Sequence, residues 1–326
     1  MSFNALGLPE TFLEILENEN YKMPYPIQKQ AIPVILKGQD VLGIAQTGSG
    51  KTASYVLPVL SSLNSKKGPK DRQVDVLVLV PTRELAEQVK GVFHIFEKGL
   101  SHSVKTMAIY GGVSINPQMK SLFGVSILVA TPGRLLDLVD SNAVHFDKLQ
   151  TLILDEADKL LNLGFQDEMN RIFSLLPEKR QNLLFSATLN EKVEEINQIL
   201  LRDPIVINVA PKAGTIDQIS QLAYSISEEK KGPFLRYLIK HGELKQVLVF
   251  TASTYKADHV ADKLQKNGID ARAIHGKKSQ NARKMALQDF KAGKLRVLVA
   301  TDLLARGIDI EFLPHIINYE LPRSPK

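Results

Sequence analysis

Short apolar runs rich in β-branched residues recur along this chain and alternate with longer stretches of helical periodicity. Seven lie in the first two thirds: Val41 to Ile44, Val74 to Val80, Val104 to Ile109, Ile127 to Val129, Thr151 to Leu154, Leu183 to Phe185 and Ile205 to Val209. Strands covered on both faces read as continuous apolar runs, and the helices between them supply the crossovers of a parallel sheet. The pattern therefore predicts an α/β domain over residues 1–209. Ala210-Pro211-Lys212-Ala213-Gly214 breaks the periodicity and predicts a linker over 210–218. A second series, Leu222 to Ile226, Val247 to Phe250, Ala271 to Ile274, Val297 to Ala300 and Ile316 to Tyr319, predicts another α/β domain over 219–326. In doubly wound parallel sheets ligands bind beyond the carboxyl ends of the strands, and chemistry is expected there in both domains.

Two strand ends carry nucleotide chemistry. Ala45-Gln46-Thr47-Gly48-Ser49-Gly50-Lys51-Thr52 follows the first run, and Asp155-Glu156-Ala157-Asp158 follows Thr151-Leu152-Ile153-Leu154. A glycine-rich turn from strand to helix aims backbone N–H groups at phosphate oxygens, aided by the positive end of the helix dipole. Lys51 would reach the β/γ-phosphates and Thr52 would hold Mg²⁺. Asp155 would hold the metal directly or through its water, and Glu156 would orient the attacking water. Each piece alone is weaker than the pair. Ala45 replaces the first glycine of the general P-loop pattern, and an acidic cluster by itself is usually a solvated helix start. Together they predict an ATP–Mg²⁺ site.

Composition fits a soluble enzyme: 326 residues, 44% of them hydrophobic, suffice for the cores of two domains. No run is apolar enough to span a bilayer, and Met1 to Phe12 lacks the basic-then-apolar form of a signal peptide. The absence of cysteine excludes disulfides and thiolate metal sites and makes a cytoplasmic location the default expectation. The seven histidines show no metal-binding spacing. Charge is uneven: residues 1–210 carry 21 basic and 23 acidic side chains, whereas residues 211–326 carry 20 and 12. A polyanionic partner fits that surplus, and so does a lysine-rich solubilising surface.

These residues resemble the DEAD-box family of ATP-dependent RNA helicases, and further motifs in that family's order extend the resemblance over nearly the whole chain. Phe3 and Asn20-Tyr21-Lys22-Met23-Pro24-Tyr25-Pro26-Ile27-Gln28 are similar to its adenine-reading Q motif with the upstream aromatic, which implies adenine contacts for Phe3, Tyr21 and Gln28. A glutamine amide offers the donor and acceptor that adenine's N6/N7 edge needs, and an aromatic ring offers a stacking face. Asn20 and Tyr25 depart from the usual glycine and serine or threonine. Read without the resemblance, Gln28 is a helix-start residue and Phe3 a core side chain.

The resemblance assigns Pro81-Thr82-Arg83, Gly111-Gly112 and Thr131-Pro132-Gly133-Arg134 to the RNA backbone. Small polar groups and helix N-termini do bind phosphates without reading bases, although each motif alone is as readily a helix cap. It places Asp158, Ser186 and Thr188 in the catalytic set with Lys51, Thr52, Asp155 and Glu156. In the second domain it implies RNA contacts for Phe250, Thr251, Gln280, Arg283 and Thr301, and ATP-side roles for Asp302, Gly307 and Asp309. Leu287 and Phe290, at i and i+3 of a helix, are most simply core.

The resemblance thus implies two tandem recombinase-like domains, the second incomplete, with ATP and Mg²⁺ as cofactors. The chain would be a monomer that grips RNA with little sequence specificity and locally separates short duplexes, ATP and RNA each strengthening the other by favouring closure. The family continues past Asn318-Tyr319-Glu320-Leu321-Pro322 into H-R-x-G-R-x-x-R, whose arginines act on the γ-phosphate, while this sequence stops at Lys326. Such fingers are worth about 10³ to 10⁵ in rate, so the polypeptide as written is expected to bind ATP far better than it hydrolyses it, and its end reads as a truncation. Two alternatives stay open: an ATP-dependent RNA clamp with negligible turnover, and a DNA-directed translocase.

Overall fold

A computed structural model describes residues 2–64, 68–210, 220–242, 244–301 and 313–321. The chain divides into two compact units, Met1–Thr215 and Ile216–Lys326.

In the first unit seven strands form one sheet: β1 (Val41–Ile44), β2 (Val76–Leu79), β3 (Thr106–Ile109), β4 (Ile127–Ala130), β5 (Thr151–Leu154), β6 (Gln181–Ser186) and β7 (Ile205–Asn208). Their order is β3-β4-β2-β5-β6-β1-β7, and every ladder is parallel. The apolar runs are continuous because alternate side chains serve two cores. Val41, Val76, Val78, Ile127, Val129, Ile153, Leu183 and Phe185 point to one face, and Leu42, Ile44, Leu77, Leu79, Leu128, Leu152, Leu154 and Leu184 to the other. Helices α1 (Glu10–Asn18), α2 (Pro26–Leu36), α3 (Lys51–Leu63) and α4 (Arg83–Phe96) contribute to the first core. The second takes side chains from α5 (Ile115–Ser121), α6 (Pro132–Asp140), α7 (Ala157–Asn162), α8 (Gln166–Ser174) and α9 (Glu191–Leu200). Each fully buried Val, Leu or Ile contributes roughly 1.5–3 kcal/mol, so these faces fix which strand end lies beside which.

The second unit holds α10 (Glu228–His241), β8 (Val247–Thr251), α11 (Thr254–Lys266), β9 (Ala271–Ile274), α12 (Gln280–Lys291), β10 (Val297–Thr301) and β11 (His315–Asn318). The sheet runs β11-β8-β10-β9, again all parallel. Leu235, Val249, Val260 and Leu264 pack on one side, and Leu248, Ile274, Phe290 and Leu298 on the other, which places Phe290 in the core as its helical spacing predicts.

One predicted strand is absent. Residues 220–227 carry no strand ladder, and Leu222 is 79% exposed. The alternation in Leu222 to Ile226 mimics a half-buried strand, but Tyr224 instead lays its ring edge-on against Phe234, centroids 4.9 Å apart.

Candidate functional site

The strand order sorts the sequence motifs of the first unit into two groups. β1, β6 and β5 are neighbours, so the loop after β1, Ser186 at the end of β6, and Asp155-Glu156 after β5 share one half of the carboxyl edge. β2, β4 and β3 are also neighbours, and they bring Pro81-Thr82-Arg83, Thr131-Pro132-Gly133-Arg134 and Gly111-Gly112 to the other half.

In the nucleotide half, Gln46, Thr47 and Gly48 are exposed at the turn and Gly50 caps α3 with φ 86°. That left-handed conformation suits glycine. The space matters as well, because a Cβ on Gly50 would meet Gln28 Nε2 at 2.6 Å and the Tyr25 ring at 2.9 Å. Gln28 is buried at the start of α2, where its Oε1 accepts from the Tyr25 N–H at 2.9 Å and its Nε2 donates to the Gly50 carbonyl at 3.1 Å. It is thus half of a capping box and also a strut to the phosphate loop. Phe3 lies in the core, edge-on to Tyr21, which is edge-on to Phe96.

Lys51 is buried and donates from Nζ to the Ala45 carbonyl at 2.7 Å. Burial pushes its ammonium below the usual lysine range, against the pull of Asp155, Glu156 and Asp158. Asp155, 2% exposed, accepts at Oδ2 from the Tyr55 hydroxyl at 2.8 Å and at Oδ1 from the Glu156 N–H at 2.9 Å. Glu156 sits in the left-handed region at φ 53°, a conformation costing a side-chain-bearing residue on the order of 1 kcal/mol. Its carbonyl accepts from the Lys159 and Leu160 N–H groups, which hold it as the cap of α7. Its Oε1 receives Lys159 Nζ at 2.7 Å, while Oε2 is buried with no hydrogen-bond partner among the described residues. Asp158 takes the Thr188 hydroxyl at Oδ2, 3.1 Å away, and Ser186 Oγ donates to the Thr188 carbonyl at 2.7 Å. The end of β6 is thereby tied to the acidic cluster.

These features fit a magnesium-bound nucleoside triphosphate. Asp155, Glu156 and Asp158 are all buried against two ammonium groups, and buried oxygens at Ser49 Oγ, Glu156 Oε2 and Asp158 Oδ1 await partners among the described residues. No group of three or more His, Asp and Glu side chains among those residues is arranged to hold a metal. One carboxylate with phosphate oxygens and waters is the set Mg²⁺ ordinarily takes.

Burial is the leading cause that raises both Asp155 and Glu156 above the usual carboxylate range. A raised folded-state value adds stability that is full below the ordinary carboxylate range and lost as pH rises through the raised value. At neutral pH the metal-free site is therefore a cost. Asp155→Asn is expected to raise the melting temperature of metal-free protein near pH 7.5 by roughly 2–4 °C, and to flatten its decline as pH rises above the ordinary carboxylate range. Thermal melts over that rise in pH check this, and a lower melting temperature for the variant would contradict it.

In the other half, Thr82 caps α4 by accepting from the Leu85 N–H at 3.2 Å, and Pro132 opens α6 after Thr131. Gly112 has φ 73°, and a Cβ there would collide with the Arg83 guanidinium. Arg134, 9% exposed, turns inward: Nη2 donates to the Val113 carbonyl at 2.9 Å and Nε to Asp137 at 3.2 Å. It ties the glycine loop to α6. In the second unit Thr251 and Thr301 are register partners at the carboxyl ends of β8 and β10, Phe250 precedes Thr251, and Gln280 and Arg283 lie in the first turn of α12. Asp302, Gly307 and Asp309 lie outside the described residues. Sequence reading passed over Tyr55 and Lys159, whose only local signals are an i+4 spacing from Lys51 and an i+3 spacing from Glu156.

The motif order on this sheet has counterparts in known proteins. The family model for DEAD/DEAH box helicases matches residues 25–196, and that for the helicase conserved C-terminal domain matches 230–326. The chain is 40% identical over 327 residues to the DEAD-box ATP-dependent RNA helicase CshA of Streptococcus pneumoniae serotype 4, covering 100% of this chain and 61% of that protein. It is 37% identical to the ATP-dependent RNA helicase DeaD of Escherichia coli K12, covering 98% of this chain and 50% of that one. The chain thus spans less than two thirds of the length of these curated relatives. Among solved structures, Saccharomyces cerevisiae Dbp5 bound to RNA and ADP BeF3 is similar with a TM-score of 0.85 and 28% identity, covering 99% of this chain and 82% of that one. A DEAD box protein of Methanococcus jannaschii is 34% identical with a TM-score of 0.59, covering 100% and 86%. With the first family model alone spanning more than half of its residues, this chain belongs to the DEAD/DEAH box helicase family.

Proposed function

We propose that the protein works as an ATP-dependent RNA helicase, binding ATP–Mg²⁺ and the RNA backbone and locally separating short duplexes. The observation that supports it most is the strand order, which gathers the phosphate-loop and acidic motifs on one half of a carboxyl edge and three small-residue, helix-opening motifs on the other.

Backbone N–H groups from Gly48 to Thr52 receive the phosphates at the start of α3, with Gln46, Thr47 and Ser49 lining the turn. Lys51 leaves the Ala45 carbonyl for the β/γ-phosphates. Thr52 and Asp155 would hold Mg²⁺, which supplies charge neutralisation at the phosphates when bound. Glu156, its free oxygen already oriented by the left-handed cap, accepts a hydrogen bond from the attacking water. Gln28 keeps one amide hydrogen and one lone pair for adenine beyond its two structural bonds, and Phe3 and Tyr21 belong to the same adenine-side proposal. The chain Asp158–Thr188–Ser186 carries changes at the acidic cluster to the end of β6.

Thr82, Gly111, Gly112, Thr131, Pro132 and Gly133 present a backbone-gripping edge, with Pro81, Arg83 and Arg134 shaping it. Phe250, Thr251, Gln280, Arg283 and Thr301 add contacts from the second unit, whose sequence carries the basic surplus. Asp302, Gly307 and Asp309 belong to the same proposal on the ATP side. No helix among the described residues is long and apolar enough to cross a membrane. A cytoplasmic location and a monomeric state are part of the same proposal.

Competition between matched RNA and DNA oligonucleotides at fixed salt tests the substrate class. RNA is expected to win because 2′-hydroxyl contacts distinguish the two, while phosphate contacts set a salt-dependent background common to both. Equal affinities would favour a DNA-tolerant translocase instead.

A further inference from the structure

Tyr55 lies one helical turn beyond Lys51 on α3 and is wholly buried. Its ring packs against Phe185 and Phe93, with centroids 5.3 and 6.4 Å away. A phenylalanine would fill that space equally well, and a buried hydroxyl costs free energy unless it is partnered. Here the hydroxyl is partnered by the metal end of the nucleotide site. It donates to Asp155 Oδ2 at 2.8 Å, while the Glu156 N–H holds Oδ1 at 2.9 Å. Two donors on opposite oxygens fix the orientation of the Asp155 carboxylate.

We propose that Tyr55 is a positioning residue for the metal: its hydroxyl holds Asp155 in the orientation that would receive Mg²⁺. This rests on the reading of Asp155 as a metal-holding residue. A hydrogen-bonded partner behind a metal ligand commonly governs affinity nearly as strongly as the ligand itself, by limiting the arrangements from which the ion must be captured. Tyr55 touches no reacting atom, and its effect passes through Asp155. The contact joins residues 100 positions apart, and neither motif pattern contains it.

The test is equilibrium binding of a fluorescent ATP analogue to the full chain, titrated with Mg²⁺, for wild type, Tyr55→Phe, Asp155→Asn and the double variant. Tyr55→Phe is expected to leave affinity measured in excess chelator unchanged, which also shows that the pocket is folded. It should raise the Mg²⁺ concentration for half-maximal enhancement about tenfold, the low end for loss of such a partner. Asp155→Asn should shift it at least as far, and Tyr55→Phe should add nothing in that background. A shift for Asp155→Asn but none for Tyr55→Phe would overturn the positioning role and leave the metal reading intact. An equal Tyr55→Phe shift in both backgrounds would overturn it too, since the effect would not pass through Asp155. No shift for Asp155→Asn would remove the metal reading itself, and the inference with it.

Discussion

Glu156→Gln should keep ATP binding and lower the steady-state ATPase rate by roughly 10²- to 10⁴-fold, the range a positioned base supplies. The substitution preserves shape and leaves the backbone cap of α7 in place, because that cap uses the Glu156 carbonyl rather than its side chain. What is lost is the carboxylate. Its Oε1 is occupied by Lys159, and its Oε2 is the buried atom without a partner among the described residues, so the oxygen left for water is identified by elimination within one side chain. Burial also raises Glu156 above ordinary carboxylates, which makes it a stronger proton acceptor once ionised and moves the acid limb of the rate profile toward neutral pH. An unchanged ATPase rate would show that another group orients the water.

Lys51→Ala should weaken ATP binding by about 100-fold, the loss of one strong charge-assisted contact to phosphate. The ammonium is already desolvated, so that cost is met before nucleotide arrives, while its 2.7 Å bond to the Ala45 carbonyl is exchanged for the phosphate contact. Removing it also leaves Asp155, Glu156 and Asp158 with one fewer compensating charge. Their mutual repulsion should rise in the nucleotide-free protein, and Mg²⁺ without nucleotide should then stabilise the variant more than wild type. Isothermal titration with ATP reads the first effect and thermal melts read the second. Near-wild-type affinity would remove Lys51 from the phosphate site.

Which parts were legible in the sequence follows from the range of the interactions involved. The strands read correctly because burial on both sheet faces writes itself as a continuous apolar run, as in Val76–Leu79 and Thr151–Leu154. The motifs of the first unit follow the carboxyl ends of strands, as expected, because each needs a local strand-to-helix turn. Leu222 to Ile226 misled because alternation records which residues can lie on a face, not whether a neighbouring strand exists to pair with them. In sequence Gln28 fits either a helix-start residue or an adenine reader. The structure shows the first role and adds a bond to Gly50, 22 positions away, leaving part of the amide for the second. Arg134 resembles a phosphate-binding arginine in sequence, yet Asp137 one turn on and the Val113 carbonyl draw its guanidinium inward. Tyr55 could not be read at all, since its partner follows β5, 100 positions along the chain, and the spacing from Lys51 is that of any core residue on α3.

The most direct measurement is the affinity of a short single-stranded RNA for the protein with Mg²⁺, in the presence and absence of a non-hydrolysable ATP analogue. Coupled ligands typically change one another's affinity by about 5- to 150-fold. A gain of at least fivefold with the analogue is expected, abolished by Lys51→Ala. Equal RNA affinity with and without the analogue in the wild-type protein would contradict an ATP-coupled grip on RNA.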